Sequence, residues 1–332
     1  MAEEITQRAN ELASLSVFAD CFGADLYHLA TVLQPLSAAP GEVLMRQGEK
    51  SDFFLVINSG SVLITHAADE GPGVTIEVGE GLIVGEIGLL KHSVRVATVT
   101  AADDLTGWVG DRDAFEQLVD LPGVLPILVR TARQRLAAFI TPVPIRLRDG
   151  TALLLRPVLP GDSARATSGH VEFSTETLYR RFMSARRPSE ALMQYLFEVD
   201  YVDHFVWVVI DEDDGDVVAD ARFVRDEADP TSAEIAFIVG DAFQGRRIGS
   251  FLMKALVIAA HVGGITRFTA RVLSGNLPMR HILDEYGAVW KREDLGVVTT
   301  VIEVPDESSV RLPRRLAAQI RGTARQAMTE VS

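Results

Sequence analysis

Apolar and polar residues change their spacing along the chain, and these changes divide it into segments. Residues 1–40 have apolar residues three and four positions apart, which predicts short helices. From Glu42 to about Val109, apolar and polar residues alternate in short runs between Gly, Asp and Asn turns, as in a small antiparallel barrel. Helical spacing returns from Asp113 to Phe139, and we expect breaks at Pro122–Gly123 and Pro126 because proline lacks an amide donor.

The stretch from Thr141 to Pro144 contains two prolines and cannot continue the preceding helix, so we place a domain boundary in a linker at 141–150. The predicted fold class is α+β with two domains: an N-terminal β-jelly-roll barrel with helices at 1–140, and an α/β domain with a mixed sheet at 151–305. Residues 306–332 follow as a basic tail with a helix over 311–328. In the second domain the pattern predicts strands at 152–156, 205–210, 217–224, 233–239, 267–272 and 297–304, and helices between 162 and 199, at 248–260 and at 277–286.

Composition and charge narrow the classes of function. The 332 residues exceed an ordinary single domain, and 47% of them are apolar and 23% charged, as in a globular protein. Both predicted domains are acidic and the formal net charge is −14, so nucleic acid and anionic membrane are not expected partners. No apolar run approaches the roughly 20 residues that span a bilayer, and the acidic N-terminus lacks the pattern of an export signal. We therefore expect a cytoplasmic protein.

Metal chemistry has little support in the sequence. Cys21 is the single cysteine, so it cannot form an internal disulfide or contribute to a cysteine-based cluster, which fits a reducing compartment. The acidic turn at 211–216 could hold a divalent cation. A solvated hairpin turn is the simpler interpretation, and we expect no metal site.

The first candidate site lies in the predicted barrel. The stretch from Gly41 to Val62 has glycines at turns and inward-facing apolar strand residues, and a second stretch, GEIGLL at 85–90 followed by VRVAT at 94–98, combines a short turn with one carboxylate and one guanidinium. Both stretches resemble the cyclic-nucleotide-binding domain family, and the second resembles its phosphate-binding cassette. The resemblance implies that the following residues bind the nucleotide: Gly85, Glu86, Ile87, Gly88, Leu89, Arg95, Val96 and Ala97.

Each of these groups would have a definite role. Arg95 would form charge-assisted hydrogen bonds to the cyclic phosphate, and Glu86 would accept from the ribose 2′-hydroxyl. Val96 stands where a hydroxyl favours guanine in the family, so it favours cAMP over cGMP. The purine would be capped by the helix containing Arg130, Arg133, Gln134 and Phe139. The alternative is a surface Glu–Arg pair on a barrel without a ligand.

The second candidate site follows the predicted strand at 233–239. Gln244, Gly245 and Gly249 open a helix whose N-terminus presents free amides and a positive dipole end, which suits a pyrophosphate. The stretch from Glu234 to Ser250 resembles the core of GNAT acetyltransferases, and Leu155–Pro157 and Asn276 resemble further segments of that family. The resemblance implies acetyl-CoA binding by Phe237, Ile238, Val239, Gln244, Gly245, Arg246, Arg247, Ile248, Gly249, Ser250 and Asn276.

The resemblance also implies a catalytic residue. A lysine ε-amine with an ordinary pKa of about 10.4 must lose a proton before it attacks a thioester. Glu234 stands where lysine acetyltransferases of this fold hold their general base, and we expect it to be partly buried among Ile235, Phe237 and Ile238. The alternative is an ordinary edge-strand glutamate. The family's tyrosine that protonates the leaving thiolate aligns with Leu283, so the general acid is unassigned.

The whole arrangement resembles the mycobacterial cAMP-regulated protein lysine acetyltransferases. It implies acetyl transfer from acetyl-CoA to a lysine of a target enzyme, such as acetyl-CoA synthetase or a related acyl-CoA synthetase, with cAMP as the allosteric effector. We expect residues 158–200 to form a lid over the acceptor site, with His170 on the acceptor side. Two alternatives stay open: a GNAT enzyme that acetylates a small amine under cyclic-nucleotide control, and a non-catalytic cAMP receptor.

Overall fold

The chain divides between Phe139 and Ile140 into two units, close to the boundary that the prolines predict. The structure is a computed structural model, and it describes residues 2–67, 73–163, 171–184, 186, 188–197 and 199–329. His170 lies outside the described residues.

The first unit is a barrel of two antiparallel sheets, which confirms the alternating pattern. One sheet has the strand order β1-β8-β3-β6 and the other has the order β2-β7-β4-β5. The strands are β1 (Gln34–Ala38), β2 (Val43–Met45), β3 (Phe53–Ser59), β4 (Val62–His66), β5 (Val74–Val78), β6 (Ile83–Val84), β7 (Thr98–Ala101) and β8 (Leu105–Asp111). The helices are α1 (Ala2–Ala13), α2 (Tyr27–Val32), α3 (Glu86–Leu90), α4 (Arg112–Val119) and α5 (Val124–Ala138), with a 3₁₀ turn at Ser16–Phe18.

Alternation along β3 contributes to the two larger apolar cores described in this unit. Phe54 and Val56 point to one side, where they pack with α1, α2, α4 and α5. Leu55 and Ile57 point to the other side and fill the barrel interior. The barrel wall is therefore covered by helices on one side and encloses an apolar core on the other.

Two details of the first unit differ from the pattern. Residues 34–38 belong to a segment with helical spacing but form β1, because Pro35 disfavours a helical conformation at the residue before it. The predicted break at Pro126 is wrong, since Pro126 lies in the first turn of α5, where an amide has no intrahelical partner. The break at Pro122–Gly123 is confirmed, and Gly123 caps α5 with a φ of 73°.

The second unit contains a mixed sheet. Among the described residues, eight strands follow the order β15-β16-β14-β13-β12-β11-β10-β9, and β13 and β14 form its parallel pair. The strands are β9 (Val143–Arg146), β10 (Ala152–Pro157), β11 (His204–Asp211), β12 (Val217–Arg225), β13 (Ser232–Val239), β14 (Arg267–Leu273), β15 (Lys291–Asp294) and β16 (Val297–Glu303). The helices are α6 (Thr175–Phe182), α7 (Glu190–Phe197), α8 (Ile248–Gly263), α9 (Leu277–Asp284) and α10 (Arg314–Thr329), with 3₁₀ turns at Asp241–Phe243 and Glu307–Ser309.

The sequence pattern missed the two outermost strands of this sheet. The predicted linker at 141–150 contributes β9, which pairs with β10 and tolerates Pro144 because it lies at the sheet edge. Strand β15 has the sequence KRED, and because all four residues are charged, it lacks the alternation of apolar and polar residues that predicts a strand. Strand β15 is exposed along its whole length and is held by pairing with β16, whereas β9 also buries Val143.

Helix α8 is apolar around most of its circumference because it is buried on several sides. It packs against β12, β13 and α10, and the Trp207 indole donates to the Ala255 carbonyl at 3.1 Å. This packing fixes the N-terminus of α8 at the carboxyl end of β13. Among the described residues, no helix is long and apolar enough to cross a membrane.

A cluster of charged side chains is buried on the opposite face of the sheet. Arg222 donates to the Asp220 carboxylate at 2.8 and 3.1 Å and to the Leu196 carbonyl at 2.6 Å. His204 Nε2 lies 3.5 Å from the same guanidinium. Burial, and next the positive charge of Arg222, lower the pKa of His204 to about 4. His204 is therefore neutral in the folded protein at neutral pH.

We expect this burial to make the second unit less stable in mild acid. The pKa of His204 lies below its unfolded value of 6.5, so the unfolded state binds the extra proton and stability falls as pH drops from 6.5 toward 4. Between pH 7 and pH 5 the loss is on the order of 2 kcal/mol. Urea unfolding at both pH values should show this loss in wild type and a smaller one in His204→Gln. The exposed His281 provides the control, and a His281→Gln variant that removed the same loss would contradict the assignment.

Candidate functional sites

The cassette in the barrel is organised by Arg95. Its side chain is buried, and it donates to the Phe53 carbonyl at 2.6 Å and to the Gly85 carbonyl at 3.0 Å. Gly85 has a φ of 93°, and a Cβ there would lie 2.7 Å from the Arg95 guanidinium, so only glycine fits between them. Burial lowers the pKa of Arg95, while the nearby Asp52 acts in the opposite direction.

Glu86 does not pair with Arg95 in this structure. The buried Glu86 carboxylate accepts a hydrogen bond from Arg135 at 2.6 Å, and Arg135 also donates to the Ile83 carbonyl at 2.7 Å. The second Arg135 terminal nitrogen is buried without a hydrogen-bond partner in the described part of the chain. Sequence reasoning named other residues of α5 and missed Arg135. An unpaired buried donor is costly, so this nitrogen is suited to a ligand oxygen.

Phe139 closes the cavity that these groups line. Its ring stacks on His66, with centroids 4.8 Å apart and planes 20° apart, and His66 Nδ1 lies 2.6 Å from the Val96 carbonyl. The remaining cavity is about 30 Å³. That is room for roughly two water molecules, whereas small-molecule sites span roughly 300–1,000 Å³. The predicted cassette residues that line the cavity are Gly85, Glu86, Ile87, Gly88, Arg95, Val96 and Ala97.

The second site begins where two strands separate. Strands β13 and β14 are paired only from Ser232 to Glu234 on one side and from Arg267 to Thr269 on the other. Beyond Glu234 they enclose a cleft of about 400 Å³. The predicted residues that line the cleft are Glu234, Phe237, Ile238, Val239, Gln244, Gly245, Arg247, Ile248, Gly249, Ser250 and Asn276. Ten of the eleven residues predicted to bind acetyl-CoA are thus brought together at this cleft.

Arg246 and Arg247 lie side by side in the loop before α8, and the sequence could not tell which of them would face a bound anion. The structure gives the two side chains different surroundings. Arg246 donates to the Asp149 carboxylate at 2.6 and 2.9 Å and also to the Thr151 hydroxyl, and neither Asp149 nor Thr151 is among the residues that line the cleft. Hydrogen bonds from Thr151, and next from Arg246, lower the pKa of Asp149 to about 2. Arg247 instead lines the cleft and caps α8 in the left-handed conformation, with a φ of 68°. That conformation is strained for an arginine, which points to a use of its side chain.

Glu234 lies at the mouth of the cleft and is exposed, so the expected partial burial is wrong. Along β13 its neighbours Ala233 and Ile235 point to the buried face, and alternation places the carboxylate on the other face. Arg181 of α6 and Arg271 of β14 line the same cleft. Arg271 is also paired with Glu293 at 2.9 Å.

The general acid remains unassigned. Leu283, which stands at the family's tyrosine position, is fully buried. Tyr286 is not among the residues that line the cleft, and burial raises its pKa. Ser250 and His281 are proton-bearing side chains that do line the cleft.

We expect Arg247→Gly to stabilise the fold and weaken the binding of coenzyme A. Glycine removes a left-handed arginine, which should raise the free energy of unfolding by about 1 kcal/mol. It also removes a cation from the cleft, which should weaken binding roughly tenfold. Urea unfolding and calorimetric titration with coenzyme A measure the two effects. The neighbouring Arg246→Ala serves as the control and should retain affinity, and unchanged affinity in Arg247→Gly would contradict the role of Arg247.

Comparisons with known proteins match both halves of the chain. Residues 35–121 match the cyclic nucleotide-binding domain model, and residues 152–289 match the acetyltransferase (GNAT) domain model. The chain is 54% identical over 332 residues to acetyltransferase Pat of Mycolicibacterium smegmatis, covering 100% of both proteins.

Solved structures agree with this match. The cAMP-binding acyltransferase from Mycobacterium smegmatis has 50% identity, a TM-score of 0.54 and 100% coverage of both chains. Its E234A mutant gives the same identity and TM-score over 99% of both chains. The chain therefore belongs to the family of acetyltransferases that join a cyclic nucleotide-binding domain to a GNAT domain.

Proposed function

We propose that this protein transfers an acetyl group from acetyl-CoA to a lysine ε-amine of a target protein, and that cAMP bound in the barrel controls the reaction. The observation that carries the proposal is the position of Glu234. Its carboxylate lies where β13 and β14 separate, in the cleft that leads to the N-terminal loop of α8.

The cleft offers a consistent path for acetyl-CoA. The N-terminus of α8, with Gly245 and Arg247, would hold the pyrophosphate through backbone amides and one guanidinium. The pantetheine arm would follow the edge of β13 beyond Glu234, where pairing with β14 has ended. The backbone amides near Ile238 and Val239 would then polarise the thioester carbonyl.

Glu234 would supply the proton transfer. The carboxylate accepts a proton from the lysine ammonium, directly or through one water, and the neutral amine attacks the thioester carbonyl carbon. A carbon–nitrogen bond forms, the carbon–sulfur bond breaks, and coenzyme A leaves as a thiolate. The proton that the attacking nitrogen must still lose passes to this thiolate, directly or through water, so the products are the amide and the coenzyme A thiol. The exposure of Glu234 suits this role because a lysine on the surface of another protein can reach it. An acyl-CoA synthetase as the target follows from the resemblance of the whole arrangement to the mycobacterial cAMP-regulated protein lysine acetyltransferases.

The barrel site suits cAMP. Arg95 is the cation for the cyclic phosphate, Glu86 is the acceptor for the ribose hydroxyl, and the Arg135 nitrogen without a partner is a further donor. Val96 offers no hydroxyl to guanine. The solved relative from Mycobacterium smegmatis is itself described as cAMP-binding.

Control by cAMP requires two states of the acceptor side with different affinities for the effector. Residues 158–200 are the proposed lid, and both ends of this segment are anchored. Asp162 is held by two hydrogen bonds from Arg156 at 2.7 and 2.8 Å, and the Tyr201 hydroxyl donates to the Val158 carbonyl at 2.6 Å. Movement would therefore be confined to the residues between these anchors, which include α6 with Arg180 and Arg181 beside Glu234.

We expect Glu234→Ala to lower acetyl transfer by roughly 10² to 10⁴-fold, since general-base catalysis contributes that much. The assay is transfer of label from acetyl-CoA to a purified acyl-CoA synthetase, with and without cAMP. Glu303→Ala removes an exposed carboxylate of β16 and should retain activity.

In the same assay, Arg95→Ala should retain transfer but lose the response to cAMP. Label on a small amine instead of the protein would refute the lysine substrate, and equal activity of Glu234→Ala and wild type would refute the base.

Phe139→Ala should speed the binding of cAMP. In the described structure the ring must leave His66 before a nucleotide fits, so its removal abolishes that step and raises the apparent affinity about fivefold. Stopped-flow binding of a fluorescent cAMP analogue measures the rate. Phe115→Leu, which alters an aromatic residue in the other core of this unit, controls for loosening of the fold. Slower association in Phe139→Ala would contradict the role of Phe139 as an obstruction.

A further inference from the structure

The carboxylate of Asp241 gathers hydrogen bonds from two separate parts of the second unit. Asp241 lies in the 3₁₀ turn directly after β13. Its two oxygens accept from the Ser174 amide at 2.5 Å, the Ser174 hydroxyl at 3.1 Å, the Thr177 hydroxyl at 2.5 Å and the Gln244 side-chain amide at 3.1 Å. Ser174 and Thr177 belong to the start of α6, whereas Gln244 belongs to the loop before α8. One carboxylate thus joins the acceptor-side helix to the acyl-CoA loop.

Further contacts tighten the same junction. The Asp241 amide donates to the Glu172 carbonyl at 3.0 Å, and a Cβ at Gly240 would lie only 2.4 Å from Val171. Ser174 is the N-cap of α6. Burial acts to raise the pKa of Asp241, but the hydrogen bonds from Thr177 and Ser174 outweigh it and leave that pKa below its ordinary value. The carboxylate is therefore ionised at neutral pH and makes charge-assisted hydrogen bonds.

Helix α6 depends on this junction for its position. It has eight residues, too few for a helix that is stable by itself in water. Its far end places Arg180, Arg181 and Met183 along the cleft that Glu234 lines. The hydrogen bonds at the start of α6 therefore determine where this helix lies along the acceptor site.

The side chain of Gln244 takes part in the junction at Asp241, and the same residue lines the cleft. Its side-chain nitrogen has two hydrogens but lies within hydrogen-bond distance of three acceptors: the Thr177 hydroxyl at 3.0 Å, the Val239 carbonyl at 3.0 Å and the Asp241 carboxylate at 3.1 Å. Gln244 also lines the acyl-CoA cleft. An amide that turns toward a phosphate gives up its bonds to Thr177 and Asp241.

We propose that Asp241 latches α6 to the acyl-CoA loop, and that acyl-CoA loosens this latch by drawing Gln244 into the cleft. The acceptor wall formed by α6 is then held in place without acyl-CoA and becomes mobile when acyl-CoA is bound. This rests on the proposed function, since it places acyl-CoA in the same cleft. Because coupling between two equilibria is reciprocal, weakening the latch must also strengthen the binding of acyl-CoA.

Hydrogen exchange on the full-length protein tests the latch. We expect acetyl-CoA to accelerate exchange of the α6 amides at 178–182 in wild type by about fivefold or more. Asp241→Asn keeps the size of the side chain but loses its charge, so these amides should exchange rapidly even without acetyl-CoA. The same variant should bind acetyl-CoA several-fold more tightly in calorimetric titration, because Gln244 is released. Gln244→Ala should leave α6 exchange unresponsive to acetyl-CoA.

Asp229→Asn is the matched control. Asp229 accepts from the Thr231 amide and hydroxyl and pairs with Arg267, so it closes a turn of the same unit, and within the described part of the chain its carboxylate makes no hydrogen bond to α6. This variant should exchange and bind as wild type does. Acetyl-CoA that binds but slows or does not change α6 exchange would overturn the latch and leave the proposed acetyl transfer standing. Failure of wild type to bind acetyl-CoA would overturn both, and binding without any labelled lysine would overturn only the proposed substrate.

Discussion

The catalytic half of the molecule depends on the place where β13 and β14 stop pairing. Up to Glu234 and Thr269 the two strands share backbone hydrogen bonds, and beyond them the strands separate while each remains held by its outer neighbour, β12 or β16. The sheet therefore holds the two strand walls of the cleft in place, and α6 and the loop before α8 complete its lining. Helix α8 begins at its far end and Glu234 lies at its mouth, so the point where strand pairing ends sets the distance between the proposed anion site and the proposed base.

The sequence predicted most of this because the relevant signals are local. The pattern of Gln244, Gly245 and Gly249 before an apolar helix indicated the anion site, and alternation in 42–109 indicated the barrel. Strands without apolar alternation escaped detection, as β15 did, because they are stabilised by pairing that brings together residues distant in sequence.

The details of the two sites were harder to predict for the same reason. Arg246 and Arg247 are neighbours with identical side chains, and only the fold brings Asp149, 97 residues away, against the first of them. Arg135 was missed because its partner Glu86 lies 49 residues away. Glu234 was expected among apolar neighbours, yet adjacent strand residues point to opposite faces, so neighbours in sequence do not bury it. Asp241 showed no pattern at all, since its partners come from α6 and the loop before α8.

The ion pair between Glu86 and Arg135 has a consequence for which nucleotides the barrel accepts. The ionisable groups among the residues lining its cavity are Glu86, Arg95 and Arg135, and all three are buried. Two guanidinium groups against one carboxylate leave a single positive charge. A cyclic phosphodiester carries one negative charge and neutralises the cavity, whereas a phosphate monoester carries close to two at pH 7 and would leave an excess charge away from water. With the proposed ligand, the barrel would therefore distinguish a cyclic nucleotide from its hydrolysis product by charge as well as by shape, and opening of the phosphate ring would itself end the signal.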